Sequence, residues 1–157
     1  MRMHEIHSAE DLARECGADY DASEGDPRDF SAAKPFFDAG YKFIGCGCYR
    51  AVFELGDHDV LKVPLTPRGV EANEREAEVF KLGGFPLEND EVIEVKLAPC
   101  RLMDINGIEV LVMTRVRPVN EIRTQAGVQD VLPDWVALID DEQVGYLPDG
   151  TLVAYDL

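Results

Sequence analysis

Three short apolar runs separated by two tight turns constrain the fold of this chain most. Residues 41–45, 51–55 and 60–63 are mostly apolar or aromatic, with Gly45-Cys46-Gly47 ending the first run and Gly56-Asp57-His58 after the second. Runs of this length suit strands better than helices, and turns this short join antiparallel neighbours. An antiparallel meander is therefore expected. Pro64, Thr66, Pro67 and Gly69 break the third run, and a helix rich in Glu and Ala follows over about residues 70–82, closed by Gly83-Gly84. Residues 92–97 and 101–105 read as strands, and Asn106-Gly107 marks a tight hairpin into residues 108–115. Residues 118–132 are polar and irregular, and residues 133–138 suit a short helix. Residues 143–147 and 151–156 form a last hairpin about Pro148-Asp149-Gly150. The expected fold class is α+β, an antiparallel sheet with one main helix, a terminal β-hairpin and an N-terminal helical arm.

The arm, residues 1–40, differs in texture from residues 41–157, which read as the main domain. Ser8 is placed as an N-cap with Asp11 three residues on; Ala9, Leu12, Ala13 and Cys16 share one helical face up to Gly17. Residues 19–35 are acidic and turn-rich and read as loop, after which Phe36 and Phe37 pin the arm to the body.

Charge limits the function. Among 157 residues there are 31 Asp+Glu against 15 Lys+Arg, a formal net charge of −16. Such a chain repels phosphate backbones and anionic membranes, so neither direct nucleic-acid binding nor membrane binding is expected. Only five cationic residues are lysines: Lys34, Lys42, Lys62, Lys81 and Lys96. Excess acid with scarce lysine is the composition expected of a halophilic source, cellular or viral. At molar salt the Debye length is ~3 Å, which screens the self-repulsion. An ordinary acidic protein and an acidic decoy mimicking nucleic acid are the alternatives. No apolar run reaches 18 residues and the first residues lack a signal-peptide pattern, so a cytoplasmic location is expected, that of the host if the source is viral. Cys16, Cys46, Cys48 and Cys100 read as reduced thiols, because Cys46-x-Cys48 is too tight for the usual zinc spacing.

Two features carry chemistry. A glycine-rich hairpin at residues 45–47 lets backbone N–H groups approach a phosphate with no Cβ in the way, although glycines also serve ordinary hairpins. Lys62 lies in the otherwise apolar Val60-Leu61-Lys62-Val63, where an ammonium needs an anion or a carboxylate unless it faces solvent on an edge strand. On the following helix Ala72, Asn73, Glu76, Val79 and Phe80 fall near one face, and a Glu on the sheet-facing side is the natural partner for Lys62; Glu71, Glu74 and Glu78 read as solvated.

This order of glycine loop, strand lysine and helix glutamate resembles the N-terminal lobe of the eukaryotic-type protein kinase superfamily, and most of all its small kinase-like proteins of phages and archaeal viruses. The resemblance covers about residues 41–157. It implies ATP and Mg²⁺ as cofactors. On it Gly45, Gly47 and Val52 belong to the glycine loop, Lys62 contacts the α/β-phosphates, and Glu76 is the partner of Lys62. Met113 is the gatekeeper, and the backbone of Thr114 to Val116 faces adenine. Asp156 is the metal-binding aspartate, and Gln143 takes the place of the catalytic-loop asparagine.

The chain also departs from the pattern. Arg50 replaces the third glycine, and Leu138 stands where the catalytic aspartate belongs, leaving Asp140 and Asp141 as the catalytic candidates at a different spacing. Only about 26 residues separate the hinge from Gln143, and Leu157 occupies the place of the Phe after the metal-binding aspartate. No activation loop or peptide-binding lobe is expected. The reading is a minimal kinase-like protein, nucleotide-binding or pseudokinase, with weak or no phosphotransfer from ATP to protein. An acidic interaction module or decoy on the same scaffold, and a virus-encoded structural or accessory protein, are the alternatives. A protein partner or self-association is expected to cover the surface a large lobe would hide.

Overall fold

A computed structural model describes residues 6–17, 27–119, 132–139 and 143–157. The chain divides into two compact units, one of Met1–Glu74 with Leu102–Val112, the other of Arg75–Arg101 with Met113–Leu157. The expected α+β class holds: a five-stranded antiparallel sheet is accompanied by a few helices and two smaller sheets.

The first unit opens with helix α1 (Ala9–Gly17), whose start follows the capping logic of its sequence: the Asp11 N–H donates to Ser8 Oγ at 3.0 Å. Residues 30–38, in part expected to be loop, are helical instead. A 3₁₀ turn (Phe30–Ala33) capped by Asp29 runs into helix α2 (Lys34–Asp38), with the Ser31 N–H donating to Asp29 Oδ1 at 3.1 Å. The aromatic rings that follow do pin the arm. Phe36 and Phe37 lie 5.6 and 5.0 Å from Phe53, ring centre to ring centre, and Phe43 lies 5.8 Å from it.

Strands β1 (Phe43–Cys46), β2 (Arg50–Leu55) and β3 (Asp59–Pro64) form the expected antiparallel meander. Strands β6 (Cys100–Ile105) and β7 (Ile108–Thr114) complete the sheet in the order β1-β2-β3-β7-β6. Asn106 (φ 53°) and Gly107 (φ 84°) both take the left-handed conformation that a two-residue hairpin turn requires. Alternate residues of the central strands supply the core: Ala51, Phe53, Leu61, Val63, Val110 and Val112 pack with Leu12, Ala33 and Phe36 of the arm.

Helix α3 (Pro67–Leu82) starts three residues earlier than its composition suggests. Thr66 caps it, its Oγ1 accepting from the Gly69 N–H at 3.1 Å, and Pro67 occupies the first turn, where no N–H is needed. Its buried residues are Gly69, Asn73, Glu76 and Val79, whereas Phe80, expected on the same face, is 41% exposed. Glu71, Glu74 and Glu78 are solvated.

In the second unit, β4 (Gly84–Pro86) pairs with β5 (Val92–Glu94), which is shorter than the strand expected over residues 92–97. Strand β8 (Arg117–Pro118) joins the terminal hairpin of β9 (Val144–Tyr146) and β10 (Leu152–Ala154). The hairpin turn falls on Pro148-Asp149-Gly150 as expected, with Gly150 at φ 85° and the Thr151 N–H donating to Asp149 Oδ1 at 2.9 Å. The short helix expected over residues 133–138 is a 3₁₀ helix (Asp134–Leu138). Among the described residues no helix is long and apolar enough to cross a membrane.

Candidate functional site

Strand register in the first unit places three of the sequence candidates side by side. Gly45 pairs with Val52 and Val52 pairs with Lys62, so the three form one row across β1, β2 and β3. Directly paired residues share a face of a sheet. A bulge in β1 sets this row. Phe43 pairs with Phe53, yet Gly45, two residues on, pairs with Val52, so Ile44 is the extra residue on β1. With regular pairing Gly45 would oppose Ala51 and share the aromatic core side with Phe43 and Phe53. The bulge moves it to the side of Lys62. Beyond the row, the Gly47 N–H donates to the Arg50 carbonyl at 2.9 Å and closes the hairpin.

Apart from Gly17, where a Cβ would make only an ordinary 3.7 Å contact with Phe30, the glycines of the hairpin differ from the other described glycines. Gly40, Gly56, Gly83, Gly107 and Gly150 have positive φ, and a Cβ at Gly69, Gly84 or Gly145 would lie 2.4, 2.0 or 2.3 Å from a backbone oxygen. Gly45 and Gly47 have neither constraint: φ lies outside the left-handed region and a Cβ would meet no atom within 4 Å. The described chain therefore leaves open space above both, and its own packing does not require glycine there.

Lys62 is buried, with 5% of its surface exposed, in a strand whose residues from Val60 to Pro64 are all buried. The solvated edge-strand alternative is thereby removed, since β3 lies between β2 and β7. Arg50, which takes the place of the third glycine, is buried as well. Its Nη1 donates to Asn73 Oδ1 at 3.1 Å, and Asn73 Nδ2 donates to the Lys62 carbonyl at 3.1 Å. Asn73 itself is 1% exposed. Asn73 is expected near the same face of α3 as Glu76, and its residue type alone assigns it no role. The signal it offers is an amide on the helix face that is expected to be buried, because a buried amide requires partners.

Near the hairpin, burial is the main cause that pushes the Cys46 thiol up to about 12, and the neighbouring Cys16 thiol adds to it. All four cysteines are unbridged, and Cys48 at the hairpin tip is exposed. Among the described residues there is no group of three or more His, Cys, Asp or Glu side chains that could hold a metal.

In the second unit Glu76 is fully buried, and its Oε1 accepts from the Leu157 N–H at 3.2 Å. The Glu76 carbonyl accepts from Cys100 Sγ at 3.5 Å. The residue after Asp156 is thus tied to a buried carboxylate. The terminal hairpin continues one step past β9 and β10, where the Tyr155 N–H donates to the Gln143 carbonyl at 3.0 Å, bringing Gln143 and Asp156 to the same end of the hairpin. Strand β10 is also laced to residues 96–98: the Ala154 N–H donates to Lys96 O at 2.7 Å, and the Ala98 N–H to Ala154 O at 2.8 Å. Met113 is buried at the end of β7, and the Thr114 N–H donates to Pro99 O at 2.9 Å. Val116 packs against Gly145, at which a Cβ would come within 2.5 Å of Val116 Cγ1. Leu138 is half-exposed. Asp140 and Asp141 lie outside the described residues.

Comparison with protein-family models, with curated proteins and with solved structures finds no match.

Proposed function

We propose that the chain is a minimal kinase-like protein that binds Mg·ATP, with weak or no phosphotransfer to protein. The observation that carries this reading is the row of Gly45, Val52 and Lys62, with open space above Gly45 and Gly47. Glycines without a conformational or packing reason are explained by a ligand that comes close to the backbone. A lysine in the same row suits an anionic ligand such as phosphate. Lys62 holds the phosphates and Val52 offers an apolar surface to the base.

The kinase resemblance assigns the remaining parts of the ligand to Gln143, Asp156 and the backbone of residues 114–116. Asp156 and Gln143 offer a carboxylate and an amide carbonyl, the hard oxygen donors that Mg²⁺ takes while keeping waters and phosphate oxygens. When bound, Mg²⁺ supplies charge neutralisation at the phosphates. Because the Thr114 N–H is engaged by Pro99, adenine meets the Thr114 carbonyl or the backbone of Arg115 and Val116. Leu138 cannot accept a proton, so a nucleotide-binding or pseudokinase role is favoured over efficient transfer. Asp140 and Asp141 remain the base candidates for any residual activity.

The net charge of −16 opposes an anionic ligand, so binding is expected to need Mg²⁺ and high salt. Radiolabelled ATP with wild type, Lys62→Ala and Asp156→Ala in molar KCl tests the reading. Label retained by wild type and lost from both variants supports it. Equal label on all three, or on none, overturns it.

A further inference from the structure

We propose that Asn73 is the positioning residue for Lys62, tying the backbone of the buried lysine to Arg50, the residue that stands in place of a third glycine. This inference rests on the Mg·ATP reading for its functional consequence, and on the hydrogen bonds alone for its mechanical part. Asn73 uses both ends of its amide: Oδ1 accepts from Arg50 at the first residue of β2, and Nδ2 donates to the carbonyl of Lys62 in β3. One side chain on α3 thereby holds the base of the glycine hairpin and the backbone of the buried lysine. All three residues are buried.

Other buried polar side chains could stabilise the helix against the strands. What distinguishes Asn73 is where its two bonds end. One fixes the residue at which the hairpin closes, whose carbonyl accepts from the Gly47 N–H at 2.9 Å. The other fixes the peptide unit that carries Lys62. A shift of α3 would move the glycines and the lysine together, and loss of the amide would let them move separately. Net hydrogen-bond energies of about 1–1.5 kcal/mol correspond to about a fivefold to tenfold change in the population of the aligned arrangement.

Two variants separate positioning from plain stabilisation. Asn73→Asp keeps an acceptor for Arg50 and loses the donor to Lys62, whereas Asn73→Leu removes both bonds and keeps the branched side-chain shape. The first readout needs no nucleotide: reductive methylation of each lysine, followed by mass spectrometry, at a temperature chosen to give equal folded populations. Methylation of Lys62 is expected to rise about fivefold to tenfold in both variants while that of exposed Lys34 and Lys42 stays unchanged. The second readout is Mg·ATP affinity in molar KCl, expected to fall by a similar factor. Unchanged Lys62 methylation in both variants overturns the proposal. If wild type shows no Mg·ATP binding, the nucleotide reading fails, and methylation still decides whether Asn73 positions Lys62.

Discussion

Lys62 illustrates how far single residues could be read. A lone cation in an apolar strand of a lysine-poor chain drew attention to itself, and its burial agrees with that reading. Asn73 did not stand out, because neutral amides are common and its significance depends on two partners distant in sequence. Titrating groups give two further expectations at this scale. Hydrogen bonding from Ser8, then from the His7 backbone N–H, with Arg14 adding to them, holds the Asp11 carboxyl below its ordinary 3.8. A depressed carboxyl contributes stability that is present above the unfolded value and lost as pH falls through the folded one. The α1 amides should therefore lose protection from hydrogen exchange as pH drops below about 4, and Asp11→Asn should make that protection less dependent on pH. The raised Cys46 thiol gives the second. At pH 8 iodoacetamide should alkylate exposed Cys48 well before Cys46, as read by peptide mass spectrometry. Faster labelling of Cys46 would contradict the burial described for it.

Among the elements, turn chemistry was the most legible. Asn106-Gly107 and Pro148-Asp149-Gly150 turn where their residues predict, and Ser8 precedes α1 as expected of its cap. The elements that periodicity did not reveal are those set by tertiary contacts. Strand β4 has three residues and exists through pairing with β5, while the helical turns at residues 30–38 are set by the Asp29 cap and the aromatic packing behind it. The β1 bulge has no signature in the sequence, since Ile44 is an ordinary strand residue, yet it decides which side Gly45 occupies. Substituting glycines tests this division. Gly145→Ala, with its Cβ 2.3 Å from the Arg117 oxygen, should cost about 1–3 kcal/mol in urea melts. Gly45→Ala, in open space, should leave stability within about 1 kcal/mol of wild type, or raise it slightly. The same Gly45→Ala should weaken Mg·ATP binding. Marked destabilisation by Gly45→Ala would mean that packing, not a ligand, explains the glycine.

For the molecule as a whole, fold class was legible and the division into two units was not. That division cuts α3 after Glu74 and cuts both β6 and β7, so no composition shift marks it. Net charge acts at this scale too. Carboxylates in excess repel one another across the molecule, and screening shortens their reach from about 10 Å at 0.1 M salt to about 3 Å at 1 M. The urea midpoint should therefore rise between 0.1 and 2 M KCl, and a midpoint that falls would contradict a charge-limited stability. The most direct test of the proposed function combines salt, ligand and Lys62 in one measurement, the thermal unfolding of wild type and Lys62→Ala in molar KCl with and without Mg·ATP. Ligand at a hundredfold excess over Kd adds about 2.7 kcal/mol to the native state, which for a chain of this length raises Tm by about 5–10 °C. Wild type should show that rise and Lys62→Ala should not; no rise in wild type, or an equal rise in both, would contradict nucleotide binding at Lys62.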